Sequence, residues 1–85
     1  MKHVVVEQFS ELYDMLPLRV RKFADHNFSV IKEHPDHPLL RLLKVEGVWS
    51  MRIGSRYRAL AVEVQDTIIW FWIGKHKHYT TLFLS

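Results

Sequence analysis

The sequence predicts an α+β fold in which an N-terminal helical hairpin covers one face of a small antiparallel β-sheet. Three observations point there. Apolar residues recur at helical spacing from Phe9 to Ile31. Beyond Arg41 the pattern changes to alternation or to unbroken apolar runs, as strands require. The breaks between those later runs are short and rich in turn residues, and short connections join antiparallel neighbours. The chain has 85 residues, which suits one domain with one core spanning 1–85.

Each element follows from its residues. Val4 to Val6 reads as a short edge strand or a lead-in. Ser10 is the expected cap of a first helix, with Glu11 in its first turn and Phe9, Leu12, Tyr13 and Leu16 as its apolar stripe. Pro17 suits the first position of a second helix. Val20, Phe23, Ala24, Asn27, Phe28 and Ile31 give that helix its buried face, with Asn27 the one polar intruder. Pro35 ends it, because the residue before a proline is pushed out of the helical region. Phe9, Leu12, Phe23, Phe28 and Ile31 are the residues expected to pack on the sheet.

His37-Pro38 opens an extended segment, and Arg41 to Val45 reads as the first strand of the main sheet, followed by a turn at Glu46-Gly47. Trp49, Met51 and Ile53 then alternate with Ser50, Arg52 and Gly54, so the tryptophan set faces the core and Arg52 the other side. Gly54-Ser55 is a turn, and Tyr57 to Val64 the next strand. After the polar pair Gln65-Asp66 comes Thr67 to Ile73, TIIWFWI, apolar on both faces and therefore interior to the sheet. Alternation puts Trp70 and Trp72 on the same side of it.

Composition limits the function classes. The chain has no cysteine, which excludes disulfides and thiolate metal sites. His34, His37, His76 and His78 lack a neighbouring carboxylate cluster, so no metal site is expected and no cofactor is implied. No apolar run approaches the ~20 residues of a membrane span, and Val4 to Val6 is too short for a signal-peptide core. The expectation is a cytoplasmic protein without a membrane partner. The net charge of +3 suits a polyanionic partner such as nucleic acid, or an acidic protein. The cations that frame the sheet are Arg52, Arg56 and Arg58 on or between two strands, and Lys75, His76, Lys77 and His78 after the last.

Taken together, an HPxL-like entry at His37, Pro38 and Leu39 or Leu40, the strand lysine Lys44, the strand WSMRI, the strand YRAL and the segment WFWIGKHKHY resemble the RelE/ParE superfamily of bacterial toxins. The likeness covers essentially the whole chain and is strongest from His34 to Tyr79. It implies the same helical hairpin on an antiparallel sheet. It also implies a toxin of a type II toxin–antitoxin system with a cognate antitoxin as partner. Ribonuclease members cleave messenger RNA on the ribosome without a metal; ParE-like members act on DNA gyrase instead.

Metal-free cleavage of RNA uses the ribose 2′-OH as nucleophile. It needs a base for that proton, cations around the phosphate and an acid for the departing 5′-oxygen. By resemblance, Arg58 matches the arginine at the scissile phosphate, where a guanidinium can hold two oxygens at once. His78 and Tyr79 match the His-Tyr pair of YoeB-like members, which serves acid–base roles. Arg58, His78 and Tyr79 are thus the candidate catalytic residues. Arg52 resembles a basic position of RelE, and Lys44 occupies the place where YoeB-like members carry a glutamate base. Lys44, Arg52, Arg56, Lys75, His76 and Lys77 are the candidate RNA contacts. Three readings follow: a ribosome-dependent messenger-RNA endoribonuclease, a gyrase inhibitor, and a binding module that keeps the antitoxin interface without activity.

Overall fold

The structure is a computed structural model that describes residues 2–78. The chain begins with strand β1 (Lys2–Val5), followed by helices α1 (Glu7–Asp14) and α2 (Leu18–Glu33). A 3-10 turn at Pro38–Leu40 leads into β2 (Leu43–Val45), β3 (Val48–Ile53), β4 (Tyr57–Val64) and β5 (Thr67–Lys75). The strands form one five-stranded sheet in the order β1-β5-β4-β3-β2. β2 to β5 are an antiparallel meander, as expected from their short turns. β1 pairs parallel to β5 at one edge, so the sheet is mostly rather than wholly antiparallel. A parallel neighbour needs a long connection, and here the two helices and the meander supply it.

The core lies between the helices and one face of the sheet. Phe9 and Leu16 from α1 and its following turn, and Ala24 and Ile31 from α2, are buried against Met51, Ile53, Ala59, Ala61, Ile68, Trp70 and Ile73. Phe28 stands edge-on to both Trp70 and Phe9, with ring centroids 4.9 and 5.7 Å apart, the perpendicular arrangement that aromatic quadrupoles favour. Asn27 is buried in the same stripe. Its Nδ2 donates to the Arg52 carbonyl oxygen at 2.6 Å, which satisfies the polar intruder and ties α2 to β3. The Tyr13 hydroxyl donates to Asp25 Oδ1 at 2.5 Å and links the two helices at the surface.

Several local expectations are corrected. Ser10 is not a cap: α1 begins at Glu7 with Val6 before it, and Ser10 N already donates to the Val6 carbonyl. The start moves forward because β1 runs straight into the helix, and Val6 N is held by the Trp70 carbonyl. Pro17 sits one residue before α2 rather than as its first residue. His37-Pro38 opens a 3-10 turn, with His37 Nδ1 accepting from Leu39 N, instead of an extended segment. Arg41 follows with φ 46°, a left-handed conformation that no strand contains, so β2 starts two residues later than expected.

Phe23 is the largest departure. It is 45% exposed, although it lies on the helical stripe. The sheet ends beneath it at the β3–β4 turn, and its ring rests on Gly54, where a Cβ would lie 3.2 Å from Phe23 Cδ2. Gly54 also has φ +60°, a conformation that favours glycine, and a side chain there would crowd the ring.

The two tryptophans of β5 do not share a face. Leu60 pairs with Trp72 and Ala61 with Trp70, so Phe71 is an extra residue, a β-bulge. The bulge resets the alternation. Trp70 is buried under α2, while Trp72 lies opposite Leu60 on the face turned away from the core cluster.

Candidate functional site

The second face of the sheet carries the arginines. In β3, Met51 and Ile53 belong to the core, so Ser50 and Arg52 point the other way. In β4, Ala59 and Ala61 belong to the core, so Arg58 and Leu60 join them. The register then sets Arg52 directly opposite Arg58, and Arg58 in turn opposite Gly74 of β5. The neighbours that the pairing places around the two arginines, Ser50, Leu60, Trp72 and Gly74, include no acid.

Like charges directly opposite one another are unfavourable in a sheet. Here the two guanidiniums are drawn apart along the strands. Arg52 Nε donates to the Gly54 carbonyl at 2.8 Å, toward the turn. Arg58 Nη1 donates to Ser50 Oγ at 3.1 Å, in the opposite direction. Each guanidinium is thus held at a defined place on this face. The arrangement suits an anion bound between two cations.

Gly74 shapes the floor beside Arg58. A Cβ there would lie 2.7 Å from Trp72 Cζ2, so the indole occupies the space a side chain would need. Trp72, Gly74, Tyr57, Lys75 and His78 line an open groove of about 660 Å³ that reaches the α1–α2 turn at Leu12, Met15, Leu16 and Pro17. His78 lies on a helical turn after β5, and His76 N of that turn donates to the Arg56 carbonyl at 2.7 Å. His78 thus lies in the groove that Gly74 lines, whereas neither Arg52 nor Arg58 lines it. Tyr79 lies outside the described residues.

A second groove, of about 840 Å³, opens at the end of the sheet next to α2. It is lined by Arg19, Phe23, Gly54, Arg56, Lys75 and Lys77, with His76, Tyr57 and Val20 beside them. Arg56, Lys75, His76 and Lys77 thus come together, and Arg19 joins them from α2, a residue the sequence reading left out. Lys44 does not join either group. It pairs with Trp49, and its Nζ stands over that ring 5.3 Å from the centroid, on the helix-bearing side of the sheet. Trp49 Nε1 donates to Glu63 Oε1 at 3.1 Å and holds the ring in place. Lys44 is therefore on the opposite face from Arg52 and Arg58. The two-residue turn Glu46-Gly47 fixes this register, and that turn length was the signal for it.

Among the described residues no group of three or more His, Cys, Asp or Glu side chains is placed to hold a metal ion. No helix among them is long and apolar enough to cross a membrane. One histidine stands apart from the basic cluster: His3 of β1 stacks on Trp70, and its Nδ1 accepts from Trp70 Nε1 at 3.1 Å. Burial, then the positive charges of Lys32 and the amino terminus, hold its pKa below the ordinary 6.5.

No family model and no curated protein matches the sequence. Solved structures do match the fold. The toxin–antitoxin complex RelB–RelE from Methanococcus jannaschii superposes with a TM-score of 0.75 at 19% identity, over 94% of this chain and 98% of that one. YafQ from Escherichia coli gives 0.74 at 8% identity, over 92% and 96%. The YoeB/ParE toxin from Agrobacterium tumefaciens gives 0.69 at 18% identity, over 89% and 99%. The fold is the one these toxins share, over nearly the whole chain.

Proposed function

We propose that this protein is the toxin of a type II toxin–antitoxin pair and acts as a metal-free endoribonuclease on messenger RNA at the ribosome. The observation that carries the reading is the pair Arg52 and Arg58, opposed across two strands on the face of the sheet turned away from the core. In the reaction, the 2′-oxygen attacks the adjacent phosphorus as its proton is removed, and the 5′-oxygen leaves with a proton from an acid. Arg58 stabilises the charge that grows on the phosphate, and Arg52 binds the same or the neighbouring phosphate. His78 is the proposed proton carrier by resemblance to the His-Tyr pair. Tyr79 is its proposed partner by resemblance. Lys44, over Trp49, is not the base in this scheme.

Several matching structures are complexes of a RelE toxin with its RelB antitoxin, which supports a cognate antitoxin as the partner here. The cationic surface suits an antitoxin segment of acidic or amphipathic character. The test is cleavage of messenger RNA on ribosomes by wild type and by Arg58→Ala, with circular dichroism as the check on folding. The expected result is cutting by wild type and its near loss in the variant. Growth inhibition with intact RNA and altered DNA supercoiling would replace this reading with inhibition of gyrase. Binding of an antitoxin with neither effect would leave an interaction module.

A further inference from the structure

We infer that the groove between α2 and the β3–β4 turn is a binding subsite for single-stranded RNA, in which an unstacked base lies on Phe23 and phosphates lie on Arg19, Arg56 and Lys75. The inference rests on the reading of the Arg52–Arg58 face as an RNA site and extends it around the end of the sheet.

Two features of the groove converge. One is charge. Arg19, Arg56 and Lys75 line it, and Lys22 flanks it beside Phe23. No Asp or Glu lines it, and among the described residues none of these four cations is paired with an acid. The other is the ring. A phenylalanine of the helical stripe is 45% exposed in the midst of these cations, held against the backbone of Gly54. An aromatic face surrounded by cations that track a phosphate chain is the arrangement that binds single strands. A duplex keeps its bases stacked and offers none to the ring.

The groove meets the arginine pair at the β3–β4 turn. Arg52 Nε is bonded to the carbonyl of Gly54, and Gly54 lies in the groove under Phe23. In this proposal a strand with one phosphate at Arg58 passes round the turn at Gly54 to reach α2, and Phe23 contacts a nucleotide flanking the reacting one.

The test measures fluorescence anisotropy of a short labelled oligouridine over a range of salt. Its proteins are wild type, Phe23→Leu, Phe23→Tyr, Arg19→Ala and Arg58→Ala. Phe23→Leu should weaken binding about tenfold and Phe23→Tyr should restore it, because stacking needs the ring. Arg19→Ala should weaken binding and flatten the dependence of log K on log salt by about 0.7. Arg58→Ala should keep the dependence on Phe23 while losing cleavage on ribosomes. Equal binding by wild type, Phe23→Leu and Arg19→Ala would overturn the subsite. So would duplex RNA bound with the same dependence on Phe23, or an oligoglutamate peptide that competes at equal concentration, which would make the groove a site for acidic protein. If wild type cleaves messenger RNA while Phe23 has no effect on binding, only the subsite falls. If oligouridine binding depends on Phe23 but wild type cuts no RNA, the subsite stands and the nuclease reading falls.

Discussion

The buried amide of Asn27 donates to the backbone carbonyl of Arg52, so the helix layer holds the strand that presents one of the two opposed arginines. The bond crosses from core to site through a single residue. Asn27→Ala removes the donor and leaves a part-buried carbonyl without its partner, a loss of about 1–3 kcal/mol. Urea unfolding should show that destabilisation. Messenger-RNA cleavage measured well below the denaturation midpoint should also fall, because β3 is no longer fixed from below.

Arg58→Ala should slow RNA cleavage about a hundred- to thousandfold, the usual effect of removing one preorganised contact to a transition-state charge. Arg58→Lys should recover only part of it, since an ammonium cannot repeat the forked contact. Single-turnover cleavage rates on programmed ribosomes make the comparison.

His78→Gln should lower cleavage, because glutamine can hydrogen-bond but cannot pass a proton to or from the substrate. Single-turnover rates are the readout, and an unchanged rate would remove His78 from the proton-transfer steps.

Phe28 and Phe23 sit on one helix yet should respond differently. Phe28→Ala removes a ring packed on Trp70 and Phe9 and should cost about 3 kcal/mol. Phe23→Ala removes a half-exposed ring and should cost about 1 kcal/mol. Equilibrium unfolding of the two variants decides it.

Stability should fall as the pH drops below neutrality, through His3. Its folded pKa lies below 6.5, so the unfolded chain takes up the proton first. The stability is fully present above 6.5 and is lost as the pH falls toward and through the folded value. Protonated Nδ1 would also face the Trp70 N–H, donor against donor. Unfolding free energies across this range, compared with His3→Gln, should show a smaller pH dependence in the variant.

Much of the architecture was legible in the residues. The alternation of Trp49, Met51 and Ile53 gave the core face of β3, and the brief turns gave the meander. Arg52 was placed on the outer face by that same alternation. Its opposition to Arg58 follows from the loop at Gly54 to Arg56, although only the register states it. Other features carry no local mark. A bulge adds one residue without changing composition, so Trp70 and Trp72 read as a pair until Leu60 and Ala61 fix their partners. A helical stripe shows which side of α2 faces inward but not where the sheet stops, and Phe23 lies beyond that limit. The parallel pairing of β1 depends on contacts across almost the whole chain, which local pattern cannot reveal.

That pairing has a consequence for how the protein is made. His3 and Trp70 are 67 positions apart, and Val6 also waits for the Trp70 carbonyl. A ribosome delivers β1 well before β5, its strand neighbour among the described residues. The β2–β3 and β3–β4 hairpins can zip as they emerge, whereas β1 stays without its ladder until β5 has been synthesised. Closing so long a loop is slow relative to a hairpin. The finished sheet is therefore a late event in the birth of the molecule.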